Sequence, residues 1–114
     1  MRIKEFSTRV VTFKLAAALE RYEMEMRSRA EQWLDLECCQ RLQAQFTELR
    51  LLCASLPRLS VSWVAVLLSR ARLVEALSST GAGAGALLHE HLAAVEGLRK
   101  RCLRMMGAQG VVLT

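Results

Sequence analysis

The sequence predicts an all-α protein, and two observations carry that prediction. The first 56 of the 114 residues contain neither glycine nor proline, which cost a helix interior about 1 and about 3 kcal/mol respectively. Apolar residues make up 53% of the chain, are mostly leucine and alanine, and recur every three or four positions. Because 114 residues suit one domain, we expect a single helical domain over residues 1–114.

The first helix is predicted over about residues 4–55. An N-terminal apolar stripe steps by four, three and four positions, which keeps its members on one helix face. A second stripe, from Cys39 to Leu56, alternates steps of three and four, the spacing of a coiled-coil seam. The residues expected to contact a partner are Phe6, Val10, Phe13, Leu42, Phe46 and Leu49.

The two stripes are out of register, and this leaves two layouts open. One continuous helix of about 50 residues would extend roughly 75 Å at 1.5 Å per residue. A break near Arg27 to Glu31 would instead give four helices of similar length and a four-helix bundle. The segment MEMRSRAEQ contains no strong helix stop. The continuous helix, giving three helices in total, is therefore the preferred prediction.

The rest of the chain is predicted to form a helical hairpin after an elbow at Pro57. Proline disfavours a helical conformation in the residue before it, and Ser60 is a suitable N-cap for the next helix. Helices are expected over about residues 60–79 and 86–106, joined by a glycine-rich linker at 80–85. Gly107 is predicted to cap the last helix, with a tail over residues 107–114.

The stretch TGAGAGALL, residues 80–88, resembles a phosphate-binding loop only in its glycine content. A P-loop requires a lysine and a hydroxyl residue after its last glycine, whereas Ala86 and Leu87 follow here. The dinucleotide fingerprint also fails, since Leu88 occupies the position of its third glycine. The stretch is interpreted as a linker, so Gly83→Ala is expected to leave folding almost unchanged.

Residues suited to catalysis or metal binding are sparse. His89 and His91, the only histidines, point about 200° apart on a helix and so cannot share a metal. Asp35 is the single aspartate and lies in a charged helical segment. We therefore expect no catalytic, metal or cofactor-binding residues, and no enzyme activity.

The cysteines and the termini bear on localisation. Four cysteines are present without a C-x-x-C spacing, and they are expected to be reduced thiols in a cytoplasmic or nuclear protein. The basic, amphipathic N-terminus leaves mitochondrial targeting as a lesser alternative. The most apolar run, residues 61–68, is much shorter than the roughly 20 residues of a membrane-spanning helix.

The net charge of +5 is concentrated in the C-terminal half. Residues 1–56 carry a net charge of +1 and residues 57–114 carry +4. A basic helix end can contact phosphates, but no helix-turn-helix or zinc-site spacing accompanies this one. The candidate phosphate contacts are Arg99, Lys100, Arg101 and Arg104.

The expected function follows from an imbalance in helix length. Two helices of about 30 Å cannot cover both stripes of a helix near 75 Å, and exposed apolar patches commonly mark protein interfaces. We therefore expect a non-catalytic helical adaptor or structural subunit that binds other helical or coiled-coil proteins, or itself. The alternative is a small nucleic-acid or anionic-membrane binder that uses the C-terminal arginine and lysine cluster.

Overall fold

The all-α prediction is confirmed. The computed structural model describes residues 2–28, 36–79 and 83–110, with side chains over 7–28, 37–79 and 83–107. The described residues form four α-helices that pack against one another, and they contain no strand. The helices are α1 (Arg2–Ser28), α2 (Leu36–Ala54), α3 (Ser60–Ser78) and α4 (Ala84–Gly110), with a 3-10 turn at Pro57–Leu59.

The structure corrects the preferred three-helix layout, because α1 and α2 lie side by side. The ring centroids of Tyr22 and Phe46 are 5.8 Å apart, whereas a single straight helix would separate these residues by roughly 36 Å. Two ion pairs, Glu25 with Arg41 at 3.6 Å and Arg21 with Glu48 at 3.6 Å, join the same two helices. The four-helix alternative therefore holds. Residues 29–31 of the predicted break lie outside the described residues.

The elbow at Pro57 forms as predicted, but Ser60 does not cap α3. The N-cap residue is Leu59, which makes no side-chain capping hydrogen bond. Ser60 is the first residue of α3, and its hydroxyl donates to the Pro57 carbonyl oxygen at 2.9 Å. Across the elbow, Glu37–Ala54 and Pro57–Ser78 are bent by 117°, so α2 and α3 diverge from this point.

The predicted linker is partly helical. Ala84 and Gly85 belong to α4, and residues 80–82 lie outside the described residues. Gly83 has a φ of 76°, and its carbonyl oxygen accepts a hydrogen bond from the Leu87 N–H at 3.1 Å. Although a Cβ at Gly83 would meet nothing within 4 Å, a positive φ strains any residue with a side chain. The expectation that Gly83→Ala is neutral is therefore wrong.

The last helix is longer than predicted. It continues through Gly107 to Gly110, so Gly107 is an interior residue of α4 and not its cap. A helix tolerates such a glycine at a cost of about 1 kcal/mol relative to alanine. Residues 111–114 of the predicted tail lie outside the described residues.

The four helices do not pack equally. α1 packs along both α2 and α4, and α4 packs along both α1 and α3, but α2 and α3 touch only sparsely. The core lies inside this arrangement, and its largest fully buried side chains include Tyr22, Leu15, Leu19, Leu49, Leu59 and Leu98. The bundle is consequently open along the α2–α3 side, where the bend at the elbow separates the two helices.

Candidate interaction surface and buried polar network

α3 is apolar on two opposite sides. Its inner side buries Trp63, Val66 and Leu73 in the core. At 100° per residue, Val61, Val64 and Leu68 fall within about 60° of one another on the opposite side. We name Val61 (83% exposed), Val64 (48%) and Leu68 (57%) the α3 outer face. Leu67 (38%) and Val74 (44%) are also exposed, but they lie about 60–140° around the helix from these three.

Charged residues stand at both ends of the α3 outer face. Arg58 precedes it in the 3-10 turn, and Glu75 follows near its C-terminal end; both are exposed. Neither side chain makes an ion pair with another described residue. Arg72, at the edge toward α4, pairs with Glu90 at 3.2 Å. The face thus has a free positive charge at one end and a free negative charge at the other.

The residues predicted to contact a partner fall into two groups. Phe46 (5% exposed) and Leu49 (0%) are buried in the core, and Leu42 is half-buried and packs against it. These side chains are covered by the chain itself, so their assignment to a partner interface is corrected. Phe13 is 64% exposed and Val10 is half-buried, which leaves them accessible. The Phe6 side chain lies outside the described residues.

The basic cluster of α4 is divided between internal and exposed roles. Arg99 donates from Nε to Glu23 Oε1 at 3.2 Å, and Arg27 donates to the other Glu23 oxygen at 2.9 Å. Because Glu23 is buried, its carboxylate needs a paired cation, and Arg99 is one of the two residues that supply it. Lys100 forms an ion pair with Glu96 at 3.5 Å. Arg101 and Arg104 are exposed and make no ion pair within the described part of the chain.

A buried hydrogen-bond network links α1, α3 and α4 through His91. The Tyr22 hydroxyl lies 2.8 Å from His91 Nε2, and the Ser69 hydroxyl lies 2.8 Å from Nδ1. Ser69 donates its own hydrogen to the Val66 carbonyl oxygen at 3.0 Å, so its oxygen must accept from His91 Nδ1–H. Tyr22 then donates to the unprotonated Nε2. The network therefore assigns His91 the neutral Nδ1–H tautomer.

Electrostatics favour the same neutral state. Burial, together with the smaller effect of the positive charge of Arg70, lowers the pKa of His91 to about 4. Burial also raises the pKa of Tyr22 above its usual range, an effect that the nearby Arg70 opposes. Both side chains are therefore uncharged at neutral pH, and every polar atom that they bury in this network has a partner.

Sequence reasoning assigned His91 no specific role and overlooked Ser69. A signal was present, because Ser69 and His91 occupy inward positions in the apolar patterns of their helices. Polar residues at such positions are hydrogen-bonded when buried. Which side chains form these hydrogen bonds depends on how α1 packs across α3 and α4. Helical periodicity carries no information about that packing.

A cleft of about 240 Å³ lies on the open α2–α3 side, with Tyr22 and Met26 of α1 among its lining residues. Arg70 stands at this cleft, with its guanidinium carbon 4.2 Å from the centroid of the Phe46 ring. It also donates a hydrogen bond to Gln43 Oε1. Arg70 is half-buried and forms no ion pair with any carboxylate among the described residues.

Cys38, Cys53 and Cys102 are free thiols. Burial raises the pKa of Cys53 to about 12 and that of Cys102 to about 11, so both stay protonated and unreactive at neutral pH. Across residues 2–28, 36–79 and 83–110, no three histidine, cysteine or carboxylate side chains cluster as metal ligands.

Within the described ranges, no single helix combines the length and apolar character needed to cross a membrane. The bent pair Glu37–Ala54 and Pro57–Ser78 meets these two criteria when taken together.

No protein-family model, curated protein or solved structure matches this chain.

Proposed function

We propose that the protein is a non-catalytic helical subunit that assembles through the α3 outer face, with a second copy of the chain as the occupant. The observation that supports this is the exposure of Val61, Val64 and Leu68 together on the side of α3 opposite its buried residues. Fully burying a valine or leucine side chain contributes about 1.5–3 kcal/mol. Contiguous exposed apolar surface of this kind marks interaction sites more often than isolated exposed residues do.

The charges at the ends of the face support self-association. In an antiparallel pair with Leu68 opposite its own copy, Val61 lies level with Glu75 of the second copy. Arg58 precedes Val61 by three residues, so its long side chain reaches that Glu75. Two-fold symmetry forms the same ion pair twice, and such self-complementary interfaces are the commonest in soluble oligomers.

A charge-exchange experiment tests this arrangement. In Arg58→Glu alone, both symmetric pairs become glutamate facing glutamate, and in Glu75→Arg alone both become arginine facing arginine. Each variant should therefore dimerise more weakly than the parent. An equal mixture of the two should recover dimerisation, because each mixed dimer contains two opposite-charge pairs. Sedimentation velocity at low salt measures this, since exposed ion pairs contribute only about 0–1 kcal/mol each and are screened by salt.

The matched control is Arg50→Glu, which makes the same charge change at an exposed position on α2. It should leave the dimer unchanged. A mixed dimer of Arg50→Glu with Glu75→Arg has one opposite-charge pair and one pair of facing arginines, so it should be weaker than the mixed dimer of Arg58→Glu with Glu75→Arg. A mixture of Arg58→Glu and Glu75→Arg that dimerises no better than either variant alone would contradict the antiparallel pairing.

The alternative of a nucleic-acid or anionic-membrane binder has less support. Of its four candidate contacts, Arg99 is committed to Glu23 and Lys100 pairs with Glu96, which leaves Arg101 and Arg104. Phosphate binding weakens steeply between about 50 and 200 mM salt, whereas aliphatic packing does not. A salt titration of binding to a DNA duplex or to anionic vesicles, beside Arg101→Glu, therefore tests this function separately.

A further inference from the structure

We propose that the cleft between α2 and α3 is a binding site for a small apolar carboxylate, with Arg70 as the residue that binds the carboxylate group. The cleft lies on the open side of the bundle, at the end of α3 away from the elbow. It is separate from Val61, Val64 and Leu68, which carry the proposed dimer contact. The inference does not depend on self-association.

The charge of Arg70 is not matched by any carboxylate among the described residues. A guanidinium has five N–H donors, and the hydrogen bond to Gln43 uses only part of that capacity. Charges withdrawn from water are normally paired, yet no carboxylate in the described part of the chain pairs with this half-buried group. Its polar neighbours Tyr22 and His91 are uncharged at neutral pH, for the reasons given above. None of the described residues supplies an anion to Arg70, and the carboxylate of a ligand would do so.

Beside Arg70, the walls of the cleft are largely apolar. Side chains from three helices surround the space beside the guanidinium. The ones that would contact the apolar part of a ligand are Met26, Leu42, Leu73, Val74 and Leu77. A fixed cation at one edge of an apolar cleft selects a ligand with one anionic group and an apolar body. Carboxylate suits this site because it accepts two parallel hydrogen bonds from a guanidinium.

The volume of the cleft limits the size of its ligand. A cleft of about 240 Å³ has the volume of about eight water molecules, at the roughly 30 Å³ that each occupies in the liquid. An α-helix is about 10 Å or more in diameter with its side chains, which is too wide for this volume. The volume is also below the roughly 300–1,000 Å³ of typical drug-sized pockets. The ligand class is therefore a short-chain or single-ring carboxylate.

The test compares two ligands that differ only at the head group. The full chain is titrated with octanoate and with octan-1-ol, and binding is followed by amide shifts of cleft residues in NMR spectra. Octanoate should bind at least about 10-fold more tightly, since hydrogen bonds to a charged group exceed neutral ones by this order. In Arg70→Gln that preference should vanish, while the affinity for octan-1-ol stays the same.

The control is Arg72→Gln, which removes the same charge two residues away, where the guanidinium pairs with Glu90 outside the cleft. It should retain the preference for octanoate. Because Arg70 also stacks on Phe46, a second variant tests the site without altering that contact. Val74→Trp should fill the cleft from its rim and weaken binding of both ligands.

Two outcomes would overturn the proposal. One is equal affinity of the parent for octanoate and octan-1-ol. The other is the lack of saturable shifts at cleft residues with octanoate up to about 10 mM, a concentration that would reveal even weak binding.

Discussion

α2 and α3 have the same length of 19 residues and meet at one elbow, yet they expose different numbers of large apolar side chains. α2 buries its regular apolar stripe, and Leu51 is its one large exposed hydrophobic residue among those described. α3 buries an equivalent stripe and exposes five aliphatic residues as well. A regular apolar stripe therefore shows that a helix face is buried but not by which chain. The better indicator of a partner is a second apolar face that remains after the core is complete.

The largest expected effect lies on the buried stripe of α2. Leu49 is fully buried, so Leu49→Ala should lower the free energy of unfolding by about 2–5 kcal/mol. The exposed Leu51, two residues along, provides the control, and Leu51→Ala should change stability by less than about 0.5 kcal/mol. Urea unfolding of both variants measures the difference. Equal losses of stability in the two variants would contradict the assignment of Leu49 to a buried side and Leu51 to an exposed side of α2.

The inner side of α3 differs from the α2 stripe because its Ser69 forms a hydrogen bond with a titratable residue, His91. His91 is neutral in the fold with a pKa of about 4, whereas its unfolded value is about 6.5. As pH falls below about 6.5, the unfolded chain takes up a proton that the folded chain excludes. The stabilising effect is complete above pH 6.5 and is lost as pH approaches 4, amounting to about 3 kcal/mol.

Unfolding free energies measured between pH 6.5 and 5 test this dependence before most carboxylates titrate. His91→Gln should reduce the slope of stability against pH, and His89→Gln, at an exposed position, should not. Equal slopes in the parent and in His91→Gln would refute the neutral buried histidine.

The next largest loss of stability is expected at Ser69. Ser69→Ala removes the oxygen that accepts from His91 Nδ1–H and leaves a buried donor without a partner, at a cost of about 1–3 kcal/mol. Ser62 lies on the same helix, is less buried, and makes no comparable contact with His91. Thermal unfolding of Ser69→Ala and Ser62→Ala should separate the two positions. A loss as large in Ser62→Ala would indicate a general effect on helix α3.

The smallest effects concern ion pairs at the edges of the bundle. Arg99→Gln removes one of two cations from the buried Glu23 and should cost about 1 kcal/mol. Arg72→Gln breaks a pair whose side chains are 60% and 50% exposed, and it should cost less than about 0.5 kcal/mol. Chemical unfolding at equal salt compares them. If Arg99→Gln leaves the free energy of unfolding unchanged, Arg99 would again be a candidate phosphate contact.

Helical periodicity and Pro57 were sufficient to predict the all-α class and the α3 limits to within a residue. They did not predict the break after α1, because the segment following Met24 contains no helix breaker. Packing of Phe46 against Tyr22 favours the folded-back arrangement, and no local propensity encodes that long-range contact. For the same reason the sequence identified Phe46 and Leu49 as buried but assigned the burial to another chain. On α3, apolar residues occur on more than one side of the helix, and only the packing shows which of these sides is buried.

Sedimentation equilibrium over a range of concentrations tests the central claim most directly. Leu68→Asp places a carboxylate at the centre of the α3 outer face, and Leu51→Asp makes the same change at a similarly exposed leucine on α2. The account predicts that the parent and Leu51→Asp form concentration-dependent dimers, while Leu68→Asp is a folded monomer with an unchanged helical circular dichroism spectrum. A parent that stays monomeric throughout, or a Leu68→Asp variant that dimerises as well as Leu51→Asp, would contradict it.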